Sequence, residues 1–186
     1  NAFFAEVVDG LDEIAAAEGF ELIINTGGRS PAREKRAVTS LLAFRPAGLA
    51  LLGPVVPPTT LAAAAEQAPV VLVARSSRLS TLDTVNDDGE AGSGLAVDHL
   101  VSLGHEKIAH LDGGVGSQAP QRRRGYVSAM QRHGLKPWVI PSEYTDIAGA
   151  RAVRQLLAGG DRPTALVATN DFNAVGAISA LEEAGL

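Results

Sequence analysis

Hydrophobic positions along the chain follow two patterns, a helical period of about 3.6 residues and short continuous runs. The helical spacing is clearest between residues 3 and 18, where the apolar residues are Phe3, Phe4, Val7, Val8, Leu11, Ile14 and Ala15. Further stretches predict helices at 31–44, 60–67, 89–103, 119–132, 146–157 and 172–184. Short runs bounded by Gly, Pro or Asp predict strands or extended pieces at 20–25, 48–52, 69–74, 84–86, 107–111, 138–140 and 164–168.

Strands that alternate with single helices predict right-handed βαβ units and parallel sheets. The predicted fold class is therefore α/β, with two parallel-sheet lobes. A boundary near 103–107 gives a first lobe at 1–104 and a second lobe at 105–186. Because ligands of open α/β sheets bind beyond the carboxyl ends of strands, the positions to consider are those that follow the strands: Asn25, Gly53, Arg75, 113–122 and 169–171.

Composition narrows the classes of function. The 186 residues carry a formal net charge of −5, and this acidic balance argues against the segment gripping a nucleic-acid backbone by itself. Aromatic residues make up 4 %, too few for a platform that stacks single-stranded bases. No apolar run approaches the ~20 residues of a membrane helix, so no membrane contact is expected. No signal peptide is visible, although the chain starts abruptly.

Several chemistries lack the residues that they need. The absence of Cys excludes disulfides, thiolate metal ligands and a cysteine nucleophile. The four His show no metal-binding spacing. The sequence contains neither a G-x-S-x-G elbow nor an obvious pair of placed carboxylates. We therefore expect no metal, no cofactor and no catalysis.

Two glycine- and arginine-rich segments leave alternatives open. Gly113–Ser117 lies between a strand and a helix, where it forms either a flexible turn or a phosphate-binding loop, but it spells neither a P-loop nor G-x-G-x-x-G. Arg122, Arg123 and Arg124 open a helix and cannot all face one way, because neighbouring residues are about 100° apart. One of them faces a ligand while the others pair with acids, or all three are solvated.

Aromatic and amide residues carry the same kind of ambiguity. Phe3 and Phe4 belong to the core on composition alone, but aromatic faces at a helix start also stack on a sugar ring or a flat base. Tyr144 and Trp138 allow both interpretations. Asp171 is placed to cap the last helix, which would leave the Asn170 amide free to face a ligand.

Several strings along the chain belong together. They are Asn1-Ala2-Phe3-Phe4-Ala5-Glu6, Arg45-Pro46-Ala47-Gly48-Leu49, Leu95–Leu100 with Leu103–Ala109, Arg122 with Gly125-Tyr126, and Ala168–Asp171 with Ala174–Ala177. They resemble the patterns N-P-F-F-x-E, R-x-D-G-hydrophobic, A-x-x-H-L-x-x-L-G-H-x-x-I-A, R-x-x-G-[YF] and A-x-N-D-x-x-A-x-G-A of the LacI/GalR family of bacterial transcription regulators. The resemblance spans essentially the whole chain, and the third and fifth patterns are fairly specific in combination.

The resemblance implies a periplasmic-binding-protein-like core in which a small molecule, usually a sugar or nucleoside-type metabolite, binds between two lobes. Binding shifts a dimer between two states and so changes how helix-turn-helix headpieces, absent from this chain, meet operator DNA in the cytoplasm. By matching positions, the implied ligand contacts are Asn1, Phe3, Phe4, Arg75, Arg122, Tyr144 and Asn170. The aromatic residues would form apolar or stacking walls, and the arginines and the amide would supply directional hydrogen bonds.

The sequence departs from the family pattern at two positions. Ala2 replaces a Pro, and Ala74 stands where many relatives carry an Asp before the Arg. Without that Asp, Arg75 and Arg122 would lack a nearby acid, which favours an anionic or more apolar effector. By the family standard the fold is also expected to be incomplete at both ends. Two other functions remain: a periplasmic sugar-binding protein of a transporter, and an α/β enzyme acting on a phosphorylated substrate.

Overall fold

The first unit of the structure is a small parallel sheet with helices. The computed structural model describes residues 2–28, 30–114, 116 and 118–186, and these form two units, Asn1–Asn86 and Asp87–Leu186. The helices of the first unit are α1 (Ala2–Ala17), α2 (Pro31–Ala43) and α3 (Pro58–Ala65), and its strands are β1 (Leu49–Leu52), β2 (Val70–Val73) and β3 (Asp83–Val85). The strands are parallel in the order β1-β2-β3, with Leu51 opposite Leu72 and Leu72 opposite Thr84.

A proline and one side-chain contact organise the helices of this unit. Pro31 begins α2 after Ser30, as predicted, because its fixed φ suits the first helical turn. The Glu34 carboxylate on α2 accepts hydrogen bonds of 2.7 and 3.1 Å from the backbone N–H groups of Val55 and Val56. The loop that follows β1 is thereby tied to α2.

The strand predicted at 20–25 is wrong. These residues form no regular secondary structure, and Phe20, Ile23 and Ile24 are exposed. A strand exists only when its backbone groups pair with a neighbour, and the edge strand β1 pairs with β2 alone in the described part of the chain. The apolar run has the composition of a strand, but pairing depends on a partner that local sequence does not specify.

The second unit surrounds a three-stranded parallel sheet. Its helices are α4 (Gly89–Ser102), α5 (Ala119–Arg132), α6 (Asp146–Ala158) and α7 (Asp171–Glu183), and its strands are β4 (Ile108–Leu111), β5 (Val139–Ile140) and β6 (Ala165–Ala168). The order is β5-β4-β6. All four residues of the central strand β4 are buried, as expected of a strand covered on both faces. Apart from 20–25, the predicted helices and strands are confirmed to within a few residues.

The units divide between Asn86 and Asp87, which is earlier than the boundary predicted at 104/105. Helix α4 is the reason. Its fully buried Val97 packs in one cluster with Ile108 of β4 and Tyr126 of α5. Helix α4 therefore belongs to the same unit as β4. The break in the hydrophobic pattern near residue 104 marks the end of α4 and not the end of a unit.

Glycines allow neighbouring helices of the second unit to pack with their backbones in direct contact. A Cβ at Gly125 of α5 would overlap the Glu90 carbonyl of α4. Helices α6 and α7 exchange the same contact in both directions, because a Cβ at Gly149 would overlap the Asn173 carbonyl and a Cβ at Gly176 would overlap the Asp146 carbonyl. None of the helices in the described residues is long and apolar enough to cross a membrane.

A buried aromatic pair joins β4 to α5. The Tyr126 hydroxyl donates a hydrogen bond of 2.8 Å to the Ile108 carbonyl and accepts one of 2.9 Å from the Trp138 N–H. The His110 ring stacks on Tyr126 with centroids 5.1 Å apart. Its Nδ1 lies 2.9 Å from the Val167 carbonyl, which only accepts, so Nδ1 carries the proton. Burial lowers the pKa of His110, although the bond to Val167 acts in the opposite direction.

Candidate functional site

Polar residues of the second unit collect where β4 and β6 end. Asp112 directly follows β4 and Thr169 directly follows β6, and both are buried. The two strands are parallel neighbours, so their carboxyl ends lie at the same edge of the sheet. Helices α5 and α7 begin shortly after these ends, and α4 begins at Gly89. This edge is the candidate site.

Arg122 connects three parts of this edge. Its guanidinium donates to the Asp87 carboxylate at 2.6 Å and to the Thr169 carbonyl. Its aliphatic stem lies against Gly89, where a Cβ would come within 3.0 Å of the Arg122 Cγ. The expectation that Arg122 lacks a nearby acid is therefore wrong, because Asp87 supplies one from the segment before α4.

The three consecutive arginines diverge, as the helical geometry requires. Arg123 turns to Asp112, with 2.7 Å between its Nη1 and the buried carboxylate, and Asp112 also accepts from the Gly113 N–H at 2.9 Å. Arg124 pairs with Glu90 of α4 at 3.0 Å, with both side chains exposed. Of the three, Arg122 is the one that contacts Thr169 and Asp87 at the strand ends.

Tyr144 lies against the glycine loop after β4. A Cβ at Gly116 would overlap the Tyr144 ring, and a Cβ at Gly113 would lie 2.8 Å from both the ring and the Thr169 hydroxyl. The ring is half-buried and its hydroxyl oxygen is buried. Burial raises the pKa of Tyr144, while the Thr169 hydroxyl and then Arg122 act in the opposite direction. Val115 and Ser117 of the same loop lie outside the described residues.

The amides at the start of α7 hold the segment that carries Tyr144. Asn170, rather than Asp171, is the N-cap of α7, and its oxygen accepts from the Asn173 N–H at 3.0 Å. The Asn170 side-chain nitrogen makes a long contact of 3.4 Å with the Tyr144 carbonyl. Asn173 is fully buried and donates to Ser142 and to the Glu143 carbonyl, both at 2.8 Å. The expectation that Asp171 leaves the Asn170 amide free is therefore wrong.

Two candidate residues of the first unit, Phe4 and Arg75, contact the loop after β1. The rings of Phe3 and Phe4 meet edge to face, with centroids 5.1 Å apart. A Cβ at Gly53, which has a φ of +53°, would lie 2.7 Å from the Phe4 ring. Arg75 donates to the carbonyls of Pro54 and Val56, at 2.9 and 2.6 Å. Asn1, also predicted as a contact, lies outside the described residues.

The structure thus brings Arg122, Tyr144 and Asn170 together in one unit and joins Phe4 and Arg75 through one loop of the other. Sequence reasoning missed Asp87 and Asn173 as members of the second-unit site. Asp87 follows an extended segment, which is the kind of position already singled out for Arg75. Asn173 gave no comparable signal, because its burial results from the packing of α7 on the loop at 142–143.

One cavity of the second unit lies away from this edge. It has a volume of about 320 Å³ and is lined by Glu106, Lys107, Ile108, Lys136, Pro137, Trp138 and Asp161. It lies where β4 begins, at the amino end of the sheet, whereas the candidate residues follow the carboxyl ends. Among the described residues, no group of three or more His, Asp or Glu is arranged to hold a metal ion.

These observations define a protein of the α/β class, built from two parallel-sheet units with polar side chains gathered beyond the strand ends. The family model described as periplasmic binding proteins and sugar binding domain of LacI family matches residues 1–186. The chain belongs to this family.

Individual relatives agree with the family match. The HTH-type transcriptional repressor PurR of Photobacterium profundum is 31 % identical over 193 residues, covering all of this chain and 58 % of the relative. The structure of a LacI transcriptional regulator from a Rhodococcus species superposes with a TM-score of 0.91 at 36 % identity, covering 98 % of this chain and 69 % of that one. A lac repressor dimer bound to operator and the anti-inducer ONPF gives 0.87 at 30 % identity, covering 98 % and 65 %. The chain spans less than two thirds of the PurR relative.

Proposed function

We propose that this chain is the effector-binding core of a bacterial transcription regulator of the LacI type. A small molecule binds the core and changes the operator affinity of a DNA-binding headpiece that is not part of this chain. The action is a shift between two states rather than catalysis. The proposal rests on a cluster of polar side chains beyond the strand ends, formed by Arg122, Asp87, Tyr144 and Asn170. Relatives that are similar to this core are named as a transcriptional repressor and a transcriptional regulator, which supports the same function.

Charge balance within the candidate residues favours a neutral, hydroxyl-bearing effector. Arg122 is already paired with Asp87, and Arg75 is engaged by two backbone carbonyls. An anionic ligand would have to compete with these partners, whereas sugar or nucleoside hydroxyls can accept from the remaining guanidinium N–H groups and donate to carboxylate oxygens. The pairing of Arg122 with Asp87 thus argues against the anionic or more apolar effector that Ala74 favours in the sequence.

The ligand contacts that we propose are those implied by the family patterns. Arg122 and Asn170 would supply directional hydrogen bonds in the second unit, and Tyr144 an aromatic wall. Phe3, Phe4 and Arg75 are the proposed contacts of the first unit, and Asn1 is included on the family pattern alone. Asp87 joins this set because of its ion pair with Arg122.

We propose further that two copies associate through an apolar face of α6 and α7, consisting of Ile147, Phe172, Val175 and Ile178. These side chains are exposed, Ile147 by 76 % and Val175 by 58 %. The contact between Gly176 and the Asp146 carbonyl places Ile147 next to α7. A patch used identically by two copies is self-complementary around a two-fold axis, and the lac repressor relative is described as a dimer. Operator DNA would be the second partner, in the cytoplasm.

The effector proposal is tested by thermal denaturation of the chain with D-ribose, D-glucose and adenosine, each compared with its phosphate monoester. A compound that binds only the folded state raises the unfolding free energy by about 2.7 kcal/mol at a hundredfold excess over Kd. We expect a neutral compound to raise Tm and its phosphate ester to be weaker. Asp87→Asn should lose the effect, and the matched surface variant Glu90→Gln should keep it. Stabilisation by phosphate esters alone would contradict the neutral class.

Two further measurements separate the alternative functions. Hydrolysis or transfer of a phosphate ester by the chain would favour an α/β enzyme. The coding sequence upstream of Asn1 distinguishes the other two: a helix-turn-helix supports the regulator, and a basic and apolar signal peptide supports a transport-linked binding protein.

A further inference from the structure

The glycine loop after β4 packs against an aromatic ring. Its sequence alone is compatible with a flexible turn or a phosphate-binding loop. In the structure, a Cβ at Gly116 would overlap the Tyr144 ring, and a Cβ at Gly113 would meet the same ring at 2.8 Å and the Ala119 Cβ at 2.9 Å. Any larger residue at these two positions would exclude the ring from its present place.

Thr169 lies beside Gly113, near the Tyr144 ring. Its side chain is 2 % exposed, and its hydroxyl lies 2.8 Å from where a Gly113 Cβ would be. The Thr169 and Tyr144 hydroxyl oxygens are both buried, and neither has a hydrogen-bond partner among the described residues. The carbonyl of the same residue accepts from Arg122. Thr169 therefore contacts Arg122 through its backbone, and its side chain lies beside the same glycine as the Tyr144 ring.

The backbone that carries Tyr144 is restrained separately. Asn173 donates to the Ser142 hydroxyl and the Glu143 carbonyl, and Asn170 contacts the Tyr144 carbonyl. With the main chain held at these points, the remaining freedom of Tyr144 is rotation of its side chain. The glycine loop and Thr169 are what limit that rotation.

We propose that Gly113, Gly116 and Thr169, here called the Tyr144 seat, are positioning residues that fix which part of the Tyr144 ring an effector meets. The inference rests on the proposed function only in assigning Tyr144 to effector contact. Binding sites need side chains held within about 0.5 Å of their working geometry. In the Tyr144 seat, the two glycines leave space that fits the ring, and the Thr169 hydroxyl lies beside it. The glycine loop thus acts on the ligand through Tyr144 rather than by binding a phosphate.

The seat is tested by ¹⁹F NMR of the chain labelled with 3-fluorotyrosine. The sequence contains only Tyr126 and Tyr144, so the two signals are assigned with Tyr144→Phe. Gly116→Ala adds a methyl group where a Cβ would overlap the Tyr144 ring. We expect the ring to leave the seat in this variant. The Tyr144 signal then moves toward that of exposed fluorotyrosine, and the pKa of its phenol falls because burial, the largest cause of its rise, is lost.

Thr169→Val gives the opposite shift. The ring stays seated on the glycines, but the hydroxyl that lowers the phenol pKa is removed, so the pKa of Tyr144 rises further. Thr169→Ser should restore the wild-type midpoint, which a merely structural role for the threonine methyl would not do. The two shifts of opposite sign therefore separate the two parts of the seat.

Gly160→Ala is the matched control, because nothing lies within 4 Å of a Cβ at that position. It should leave the Tyr144 signal unchanged. An unchanged Tyr144 signal and midpoint in both Gly116→Ala and Thr169→Val overturn the proposal, and if Gly116→Ala fails to fold by circular dichroism, the Thr169 pair decides. No effector is present in these measurements, so failure of the effector screen leaves their result intact.

Discussion

The guanidinium of Arg122 and the carboxylate of Asp87 lie 2.6 Å apart, although the two residues are 35 positions apart in sequence. The pair joins the start of α5 to the segment before α4. It also leaves the strand ends of the second unit without an unpaired Arg122 charge, which is why a neutral effector fits this edge better than an anion.

Arg122→Ala is expected to destabilise the second unit by roughly 1–2 kcal/mol, because it removes a charge-assisted bond to the Thr169 carbonyl as well as a half-exposed ion pair. Urea denaturation measures the change. Arg124→Ala is the control, since its pair with Glu90 is exposed on both sides and should contribute about 0.5 kcal/mol or less. Equal losses in the two variants would show that the Thr169 bond contributes nothing.

Gly176→Ala is expected to separate α6 from α7, because the new methyl group would overlap the Asp146 carbonyl. Overpacking of this kind typically costs 1–3 kcal/mol, so we expect a loss of about that size. Gly92→Ala provides the comparison within a helix: nothing lies within 4 Å of that position, and Ala should stabilise α4 by up to about 1 kcal/mol. Calorimetric Tm values of the two variants should therefore move in opposite directions.

Acid should weaken the second unit through His110. Burial lowers the pKa of this side chain below its ordinary value of 6.5, so in mildly acidic solution the unfolded chain binds a proton that the folded chain excludes. Asp112 and Arg123 lie nearby and act in opposite directions. Stability is then complete above about pH 7 and falls as the pH drops below about 6.5, by at most about 1.4 kcal/mol per pH unit.

Urea midpoints measured across this range test the histidine assignment. His110→Phe keeps an aromatic ring on Tyr126 and should flatten the pH dependence, even if it lowers stability by leaving the Val167 carbonyl without this donor. His99→Gln, at an exposed position, should leave the slope as it is. A slope that survives in His110→Phe would assign the dependence to other groups.

Val175→Glu is expected to convert a dimer of this chain into monomers, because it places a charge in the centre of the apolar face of α6 and α7. Light scattering after size exclusion gives the mass directly. Leu95→Glu is a fair comparison, since Leu95 is also exposed, by 67 %, but lies on α4. If Leu95→Glu separates the copies and Val175→Glu does not, the interface lies elsewhere.

Local sequence was sufficient for the elements whose signals are themselves local. Pro31 marks the start of α2 and Gly134 follows the end of α5, so these helices were predicted close to their observed bounds. The four consecutive apolar residues of β2 predict a strand in the same way. Each of these signals acts within a few residues of the element that it defines.

Features that depend on distant partners were not predictable in this way. The run at 20–25 has a strand-like composition but forms no ladder, and α4 belongs to the second unit because of where Val97 packs. The N-cap of α7 is a further example, since Asn170 and Asp171 are equally good capping residues and only the structure shows that Asn170 takes this position. The role of Asp87 could not be predicted either, because it depends on an ion pair with Arg122, which is distant in sequence.

The strand order β5-β4-β6 sets the order in which the second unit is assembled during translation. The partner of His110 in β5 follows it by 29 residues, whereas its partner in β6, Val167, follows it by 57 residues, so β4 can pair with β5 first. At about 5–20 residues per second, the edge of β4 that faces β6 keeps its backbone N–H and C=O groups unpaired for roughly 3–11 s. A chain terminated before residue 165 would keep that edge open, and we expect such nascent fragments to be the aggregation-prone species of this protein.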